Sequence, residues 1–435
     1  MKTSGLKKRE NKRNLTNSLF ENETYTFKIS NKNINFKCLK NFSKLFNFHF
    51  QKYKSPFLNF SNCDPKSNFF SDFRSGLFYL NFLEEIVKFS NIILYLLYFD
   101  STKIKTRNIF TCYLSVLNDQ LNETISKKVI YNISFIDEKN LKIIGLQNYL
   151  SFLITKFKEE VEIGMEFQEN VIVPGFLFNV LRDNAEIYSI LNLKISFGKS
   201  RFPCRICDFD CKCSKEEKIH NIETFNKKNN DWYDLSIRLS QIDSHNEKIT
   251  GVKKEKSKIF LLKHIHYLYS FSLDIQHIEA EGEIQRDIIL LFLKFQDYSK
   301  KSIFDTNNCK KMMIFLRKIR MKTTNVEFFL KNIGHVSNKI FQSPGGEFSN
   351  ISLTSGEAMV IFSIAPVFFY NFFSKNLESF FIQIFLNHSK YFYLLMKKKI
   401  SKDELELIDF YVKQRLKLLL ENNLKVFFFF FFFFL

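Results

Sequence analysis

The stretch VIVPGFLFNVLRDN at 171–184, followed after a spacer by SFGKSRFPCRICDFDCKC at 196–213, decides how this chain is read. An apolar, strand-like run ends on Asp183. About twenty residues later Cys204, Cys207, Cys211 and Cys213 crowd together. A carboxylate at a strand terminus is a common seat for metal-assisted chemistry, and clustered thiols are the usual hold on zinc.

Working outward, the segment NIILYLLYFDS at 91–101 carries a run, Ile92 to Phe99, that is too short to span a bilayer. It suits a strand buried on both faces, and it ends on Asp100. IFTCYLSVL at 109–117 and KVIYNISFI at 128–136 read as two further strands. Residues 146–163 switch to helical spacing, with Leu146, Leu150, Leu153 and Phe157 on one stripe and Lys156, Lys158, Glu159 and Glu160 toward solvent. Strand with Asp, strands, helix, strand with Asp is an α/β pattern carrying acids at two strand ends.

A third acid comes from a helix that follows about residue 275, where His277, Glu281, Ile284, Ile288, Leu291 and Phe295 share a stripe. Glu279, Glu283 and Arg286 fall on the other side. Two-metal phosphoryl transfer needs carboxylates converging on two divalent ions about 3.5–4 Å apart, and Asp100, Asp183 and Glu281 are the candidates. Hard oxygen ligands suit Mg²⁺. Taken singly, each acid also reads as an ordinary turn or surface residue.

The spacing Cys204-x-x-Cys207 is good zinc spacing, and a closed site takes four ligands. Cys211 and Cys213 point to opposite sides if that segment is extended, so one or both join. His220, His264 or His266 completes the set if only one does. A thiolate-rich site of this kind is structural rather than catalytic. Four thiols in a loop without metal is the plainer alternative.

Composition narrows the partners. The net charge of +19 favours a polyanion, nucleic acid ahead of an acidic membrane surface. The count of 55 Phe beside one Trp, with abundant Lys, Asn and Ile, reads as AT-rich codon bias, so single Phe residues carry little functional weight. Residues 1–35 read as a basic, disordered tail in which Lys7, Lys8, Arg9, Lys12 and Arg13 contact phosphates or form a nuclear address. This N-terminal segment lacks an apolar signal core, and the scattered cysteines fit a reducing compartment.

The expected organisation has a lead-in over 36–90, an α/β core over 91–300 with a Cys-rich insertion at about 200–258, a helical region over 301–426, and a low-complexity poly-Phe end over 427–435. Within the insertion, 214–258 reads as a charged connector. In the helical region, Ser401 and Glu404 form a capping box ahead of a stripe of Leu405, Ile408, Val412, Leu416 and Leu419. The most membrane-like segment, 358–373, is short and broken by Pro366 and Asn371, so a buried helix is expected there and no membrane partner.

The order of these pieces resembles the transposase-domain proteins related to CACTA-type DNA transposons. LLYFD at Asp100, RDNAEIYSILNLKISFGKSRFPCRIC at 182–207, DIQHIEAEG at 274–282 and LTSGEAMVIFSIAPVFFYNFF at 353–373 carry the likeness, which spans roughly 65–420. The resemblance implies a ribonuclease H-like mixed-sheet core with a zinc-knuckle-like insertion, in which Asp100, Asp183 and Glu281 with Mg²⁺ cut and join DNA in the nucleus. Relatives place the acid two residues after the His, which here is Glu279; the inward stripe favours Glu281. Self-association is left open. Arg182 stands where the family usually has Gly, Ser101 where a second acid is common and Ile278 where many relatives have Asp. These departures point to an immobile or degenerate copy.

Overall fold

Ile93, Leu94, Tyr95, Leu97 and Phe99 are all fully buried, as a strand covered on both faces requires, and they form the middle of the main sheet. The structure is a computed structural model, and it describes residues 22–29, 32–53, 69–70, 91–118, 129–167, 171–194, 200–210, 212, 226–272, 283–288, 356, 358–359, 362, 380–397 and 400–422. The described chain is mixed α/β and divides into two units, one built from 1–65, 76–212 and 225–273, the other from the remainder.

The first unit holds a six-stranded sheet. Its strands are β1 (Asn22–Ile29), β2 (Lys32–Leu39), β3 (Ile93–Ile104), β4 (Arg107–Val116), β5 (Ile130–Asp137) and, after a short hairpin of β6 (Met165–Phe167) and β7 (Val171–Val173), β8 (Gly175–Leu181). The spatial order is β1-β2-β5-β4-β3-β8. Every pairing is antiparallel except that of β3 with β8. A single parallel bridge from Val180 to Phe271 extends the sheet beyond β8. Antiparallel neighbours need only tight turns, whereas the parallel partner of β3 needs a crossover. That crossover runs through α2 (Glu138–Ile144) and α3 (Leu146–Phe157).

Helix α3 buries Tyr149, Leu150, Leu153, Ile154 and Phe157, which contains most of the stripe expected from its spacing. Phe157 stacks on Tyr95 with ring centroids 5.1 Å apart and on Phe42 at 4.3 Å, and Tyr149 meets Phe36 and Phe110 edge-on. The Phe-rich composition thus becomes an aromatic core between sheet and helices. Asn118, fully buried, pins the start of β3 by accepting from the Leu94 amide at 2.8 Å and donating to the Ile92 carbonyl. Gly175 opens β8 where a side chain would meet Val161 Cγ1 at 2.5 Å, so the strand approaches as closely as it does only with glycine there.

Three expectations need revision. The basic tail does not run to residue 35, because β1 and β2 form a hairpin whose inward positions include Tyr25, Phe27, Ile34 and Phe36. The charged connector is not a loop throughout, because Asn229 caps a helix, α5 (Asn230–Ile242), by accepting from the Trp232 amide. Lys156 and Glu160 are not simply solvated: they pair at 3.1 Å, and Glu160 accepts from the Phe42 amide at the start of helix α1 (Phe42–Tyr53). A carboxylate there meets an amide that the helix itself leaves without a partner.

In the second unit, α6 (Phe380–Leu395) and α7 (Lys402–Glu421) pack together. The Ser401–Glu404 capping box forms, and Ile408, Val412, Leu416 and Leu419 are buried as expected, with Leu405 half-buried. Glu283, expected to face solvent, is buried instead beside Asp287. Arg415 donates from Nη2 to Glu283 at 2.6 Å and holds Asp287 bidentately at 2.8 and 2.9 Å. His388 Nδ1 lies 2.6 Å from the second Asp287 oxygen. Desolvation works to raise the Asp287 pKa, but Arg415 and His388 outweigh it and hold the carboxyl well below the usual carboxylate range. Its contribution to stability is therefore full above the unfolded value near ~4 and is lost as pH falls toward the lower folded value.

Arg415→Met should lower unfolding free energy by about 3 kcal/mol at neutral pH, because buried Asp287 loses its bidentate partner and Glu283 keeps only Arg286. Chemical denaturation of the full chain checks this, with Arg415→Met/Asp287→Asn expected to recover part of the loss.

Candidate functional site

Strand β3 pairs with β8 in the register Tyr98 to Leu181. Two residues further along each chain stand Asp100 and Asp183; Asp183 follows the end of β8, whereas Asp100, expected at a strand end, lies within β3, which stays paired with β4 as far as Ile104. Neighbouring strands lie about 4.8 Å apart, so the topology brings these two expected acids to one sheet edge. Asp183 is extended (φ −61°, ψ 159°) and caps helix α4 (Asn184–Ile190), its Oδ1 accepting from the Glu186 amide at 2.8 Å. Asp100 keeps 42% of its side chain exposed, and its Oδ2 accepts from Thr102.

Arg182 directly precedes Asp183 and reaches across to Asp100. Only 6% of the residue is exposed. Its Nη1 is 3.4 Å from Asp100 Oδ1; its Nη2 donates to Glu186 Oε1 at 2.8 Å and to Ser101 Oγ at 3.3 Å. The guanidinium carbon sits 5.6 Å from the centre of the Phe110 ring. Charge, fork geometry and ring contact together fix this side chain at the strand end. Glu186 is a carboxylate of this cluster that sequence reading missed, although its spacing of four from Arg182 at a helix start was a usable signal.

Mg²⁺ asks for near-octahedral oxygen at 2.0–2.1 Å. The described carboxylates fit a guanidinium better: Asp100 and Glu186 are already bridged by one, and an Asp183 oxygen is committed to the helix cap. Glu281 and its alternative Glu279 lie outside the described residues, as do Lys7, Lys8, Arg9, Lys12 and Arg13.

Of the expected zinc ligands, Cys204 and Cys207 are described and buried, while Cys211, Cys213 and His220 lie outside the described residues. Among the described residues no group of three or more His, Cys, Asp or Glu is arranged to hold a metal, so neither His264 nor His266 joins the two thiols. His264 packs edge-on against Phe176, and His266 Nδ1 accepts from the Leu268 amide.

The surroundings of Cys204 and Cys207 nevertheless suit an anionic centre. The Cys207 thiol donates to the Cys204 sulfur and, with Lys228 nearby, brings Cys204 down to about 6 against desolvation. The same hydrogen bond raises Cys207, which keeps its proton. Lys228 is 2% exposed, donates to the carbonyls of Cys204 at 2.6 Å and Phe202 at 3.2 Å, and lies 3.9 Å from the centre of the Trp232 ring. Arg205, 1% exposed, donates to the carbonyls of Phe271 and Ser272 at 3.1 Å. Its Nε and Nη1 have no hydrogen-bond partner among the described residues. Neither cation has a carboxylate in an ion pair there. A zinc ion held by several thiolates carries net negative charge and would offset both.

In comparisons with known proteins, no family model matched the chain and no curated protein matched it. No helix among the described residues is long and apolar enough to cross a membrane.

Zinc bound here should appear by atomic emission at about one equivalent per purified chain. Cys207→Ser should lose that zinc and, with Lys228 and Arg205 left uncompensated, cost on the order of 2–4 kcal/mol of stability in thermal or denaturant unfolding.

Proposed function

We propose that this chain is a transposase-derived protein that binds DNA through a ribonuclease H-like core and does not cut it, with Arg182 standing in for the catalytic metal. The single observation that carries this reading is the ion pairing of Arg182 to Asp100 and Glu186 at the strand end. The sheet supports the ancestry: three antiparallel strands lead to β8, parallel to β3, and an acid stands two residues beyond the last parallel pair on each chain. The charge of +19 supports a polyanionic partner, with the nucleus as its setting.

The chemistry follows from charge. In an active two-metal centre, the ions neutralise the scissile phosphate and activate the attacking water or 3′-hydroxyl. A guanidinium supplies one positive charge and directional hydrogen bonds, but it neither lowers the pKa of a bound water nor holds an attacking oxygen in line. Asp100 and Glu186 here orient Arg182, and Asp183 holds the helix start. Zinc on Cys204 and Cys207, joined by ligands from Cys211, Cys213 or His220, would brace the neighbouring loop without taking part in chemistry.

Supercoiled plasmid incubated with the wild-type chain and Mg²⁺ or Mn²⁺ should show no nicking above the level of an Asp183→Asn variant, while salt-sensitive duplex binding persists. Nicking that needs metal and disappears in Asp183→Asn would instead establish an active nuclease. Absence of duplex binding would remove the DNA-binding reading.

A further inference from the structure

Strand β3 does not stop at the acid. It continues past Asp100 to Ile104, turns through Lys105 and Thr106, and returns from Arg107. The cross-strand pairs of this extension are Thr102 with Ile109, Lys103 with Asn108, and Ile104 with Arg107. On one side, β8 is paired with β3 only as far as Tyr98. On the other, β5 is paired with β4 only as far as Ile109, opposite Asp137. Among the described residues, the tip is a two-stranded ribbon with no third strand, and an isolated ribbon is at best marginally stable in water.

Its composition is one-signed. Lys103, Lys105 and Arg107 are exposed, no acid lies between Thr102 and Asn108, and none of the three cations has an ion pair among the described residues. Ile104, at the very tip, is 56% exposed. Lys105 adopts φ 55°, a left-handed conformation that a lysine takes at some cost. The fold therefore maintains an exposed, strained, basic ribbon next to the strand end that holds Asp100. A two-stranded ribbon fits the major groove of duplex DNA, which is about 12 Å wide, and its cations then reach phosphates.

We propose that the β3–β4 ribbon tip is a DNA-contacting finger that enters the major groove, with Lys103, Lys105 and Arg107 on phosphates and Ile104 toward the base edges. This rests on the DNA-binding reading above and names the surface responsible for it. The contact is largely independent of sequence, since phosphate neutralisation supplies it.

The test is fluorescence anisotropy of a 20-base-pair duplex against the full chain over a series of NaCl concentrations. Lys103→Ala/Lys105→Ala/Arg107→Ala is compared with Lys139→Ala/Lys142→Ala/Arg238→Ala, which removes the same charge from other exposed positions. The finger variant should bind about tenfold or more weakly at low salt, and its plot of log K against log salt should flatten by about 2.7, since each phosphate contact contributes about 0.9. The control should change by much less. Equal effects of the two triples, or an unaffected finger variant, would overturn the finger while leaving DNA binding intact. A wild type that binds no duplex would overturn both. Circular dichroism melting of each variant separates lost contacts from lost fold, and Ile104→Asp, which should also weaken binding, provides a second probe at the tip.

Discussion

The parallel pairing of β3 with β8 is the constraint on which the rest of the site depends. It is the one parallel pairing of two strands in the main sheet among the described residues, and it requires α2 and α3 to cross over and cover the aromatic face. Because the two strands run in the same direction, it also brings the residues just past the last pair, Tyr98 with Leu181, to one end of the sheet. Asp100 and Arg182 are 82 residues apart in the sequence, and this pairing makes them neighbours. Gly175 and Asn118 secure the start of the two strands, by close approach and by hydrogen bonds respectively.

At that edge the decisive energetics are electrostatic. A guanidinium nearly removed from water needs anions to meet it, and Arg182 finds Asp100 and Glu186 within ion-pairing distance. Asp100 remains partly solvated, so each contact is individually modest. On the reading proposed above, Arg182 competes with a divalent ion for Asp100 and Glu186. A different balance holds at Cys204 and Cys207. There two buried cations face thiols and carbonyls and, among the described residues, neither has a carboxylate in an ion pair.

Much of this was legible in the sequence where burial is continuous or strictly periodic. The run ending at Asp100, the stripe of α3 and the Ser401–Glu404 cap all formed as their patterns required. The β1–β2 hairpin was hidden because its outward positions are Lys, Asn and Thr, which dilute an alternating pattern into apparent low complexity. Helix α5 buries Ser236 and Ser240 beside Tyr233 and Ile237, so its apolar stripe was too thin to read. Buried charge was the least legible feature. Nothing in the local sequence marks Glu283, Asp287, Arg205 or Lys228 as interior, because their burial is licensed by partners or carbonyls far along the chain. The resemblance to transposase-domain proteins pointed to Arg182 as a departure, and only the fold gives that departure a physical meaning.

The most direct measurement of the central claim is calorimetric titration of Mg²⁺ into the wild-type chain and into Asp100→Asn at physiological salt. A strand end already satisfied by Arg182 predicts no binding component that depends on Asp100. Stoichiometric Mg²⁺ binding in the wild type that vanishes in Asp100→Asn would contradict it, and would mean the guanidinium yields its place to a metal.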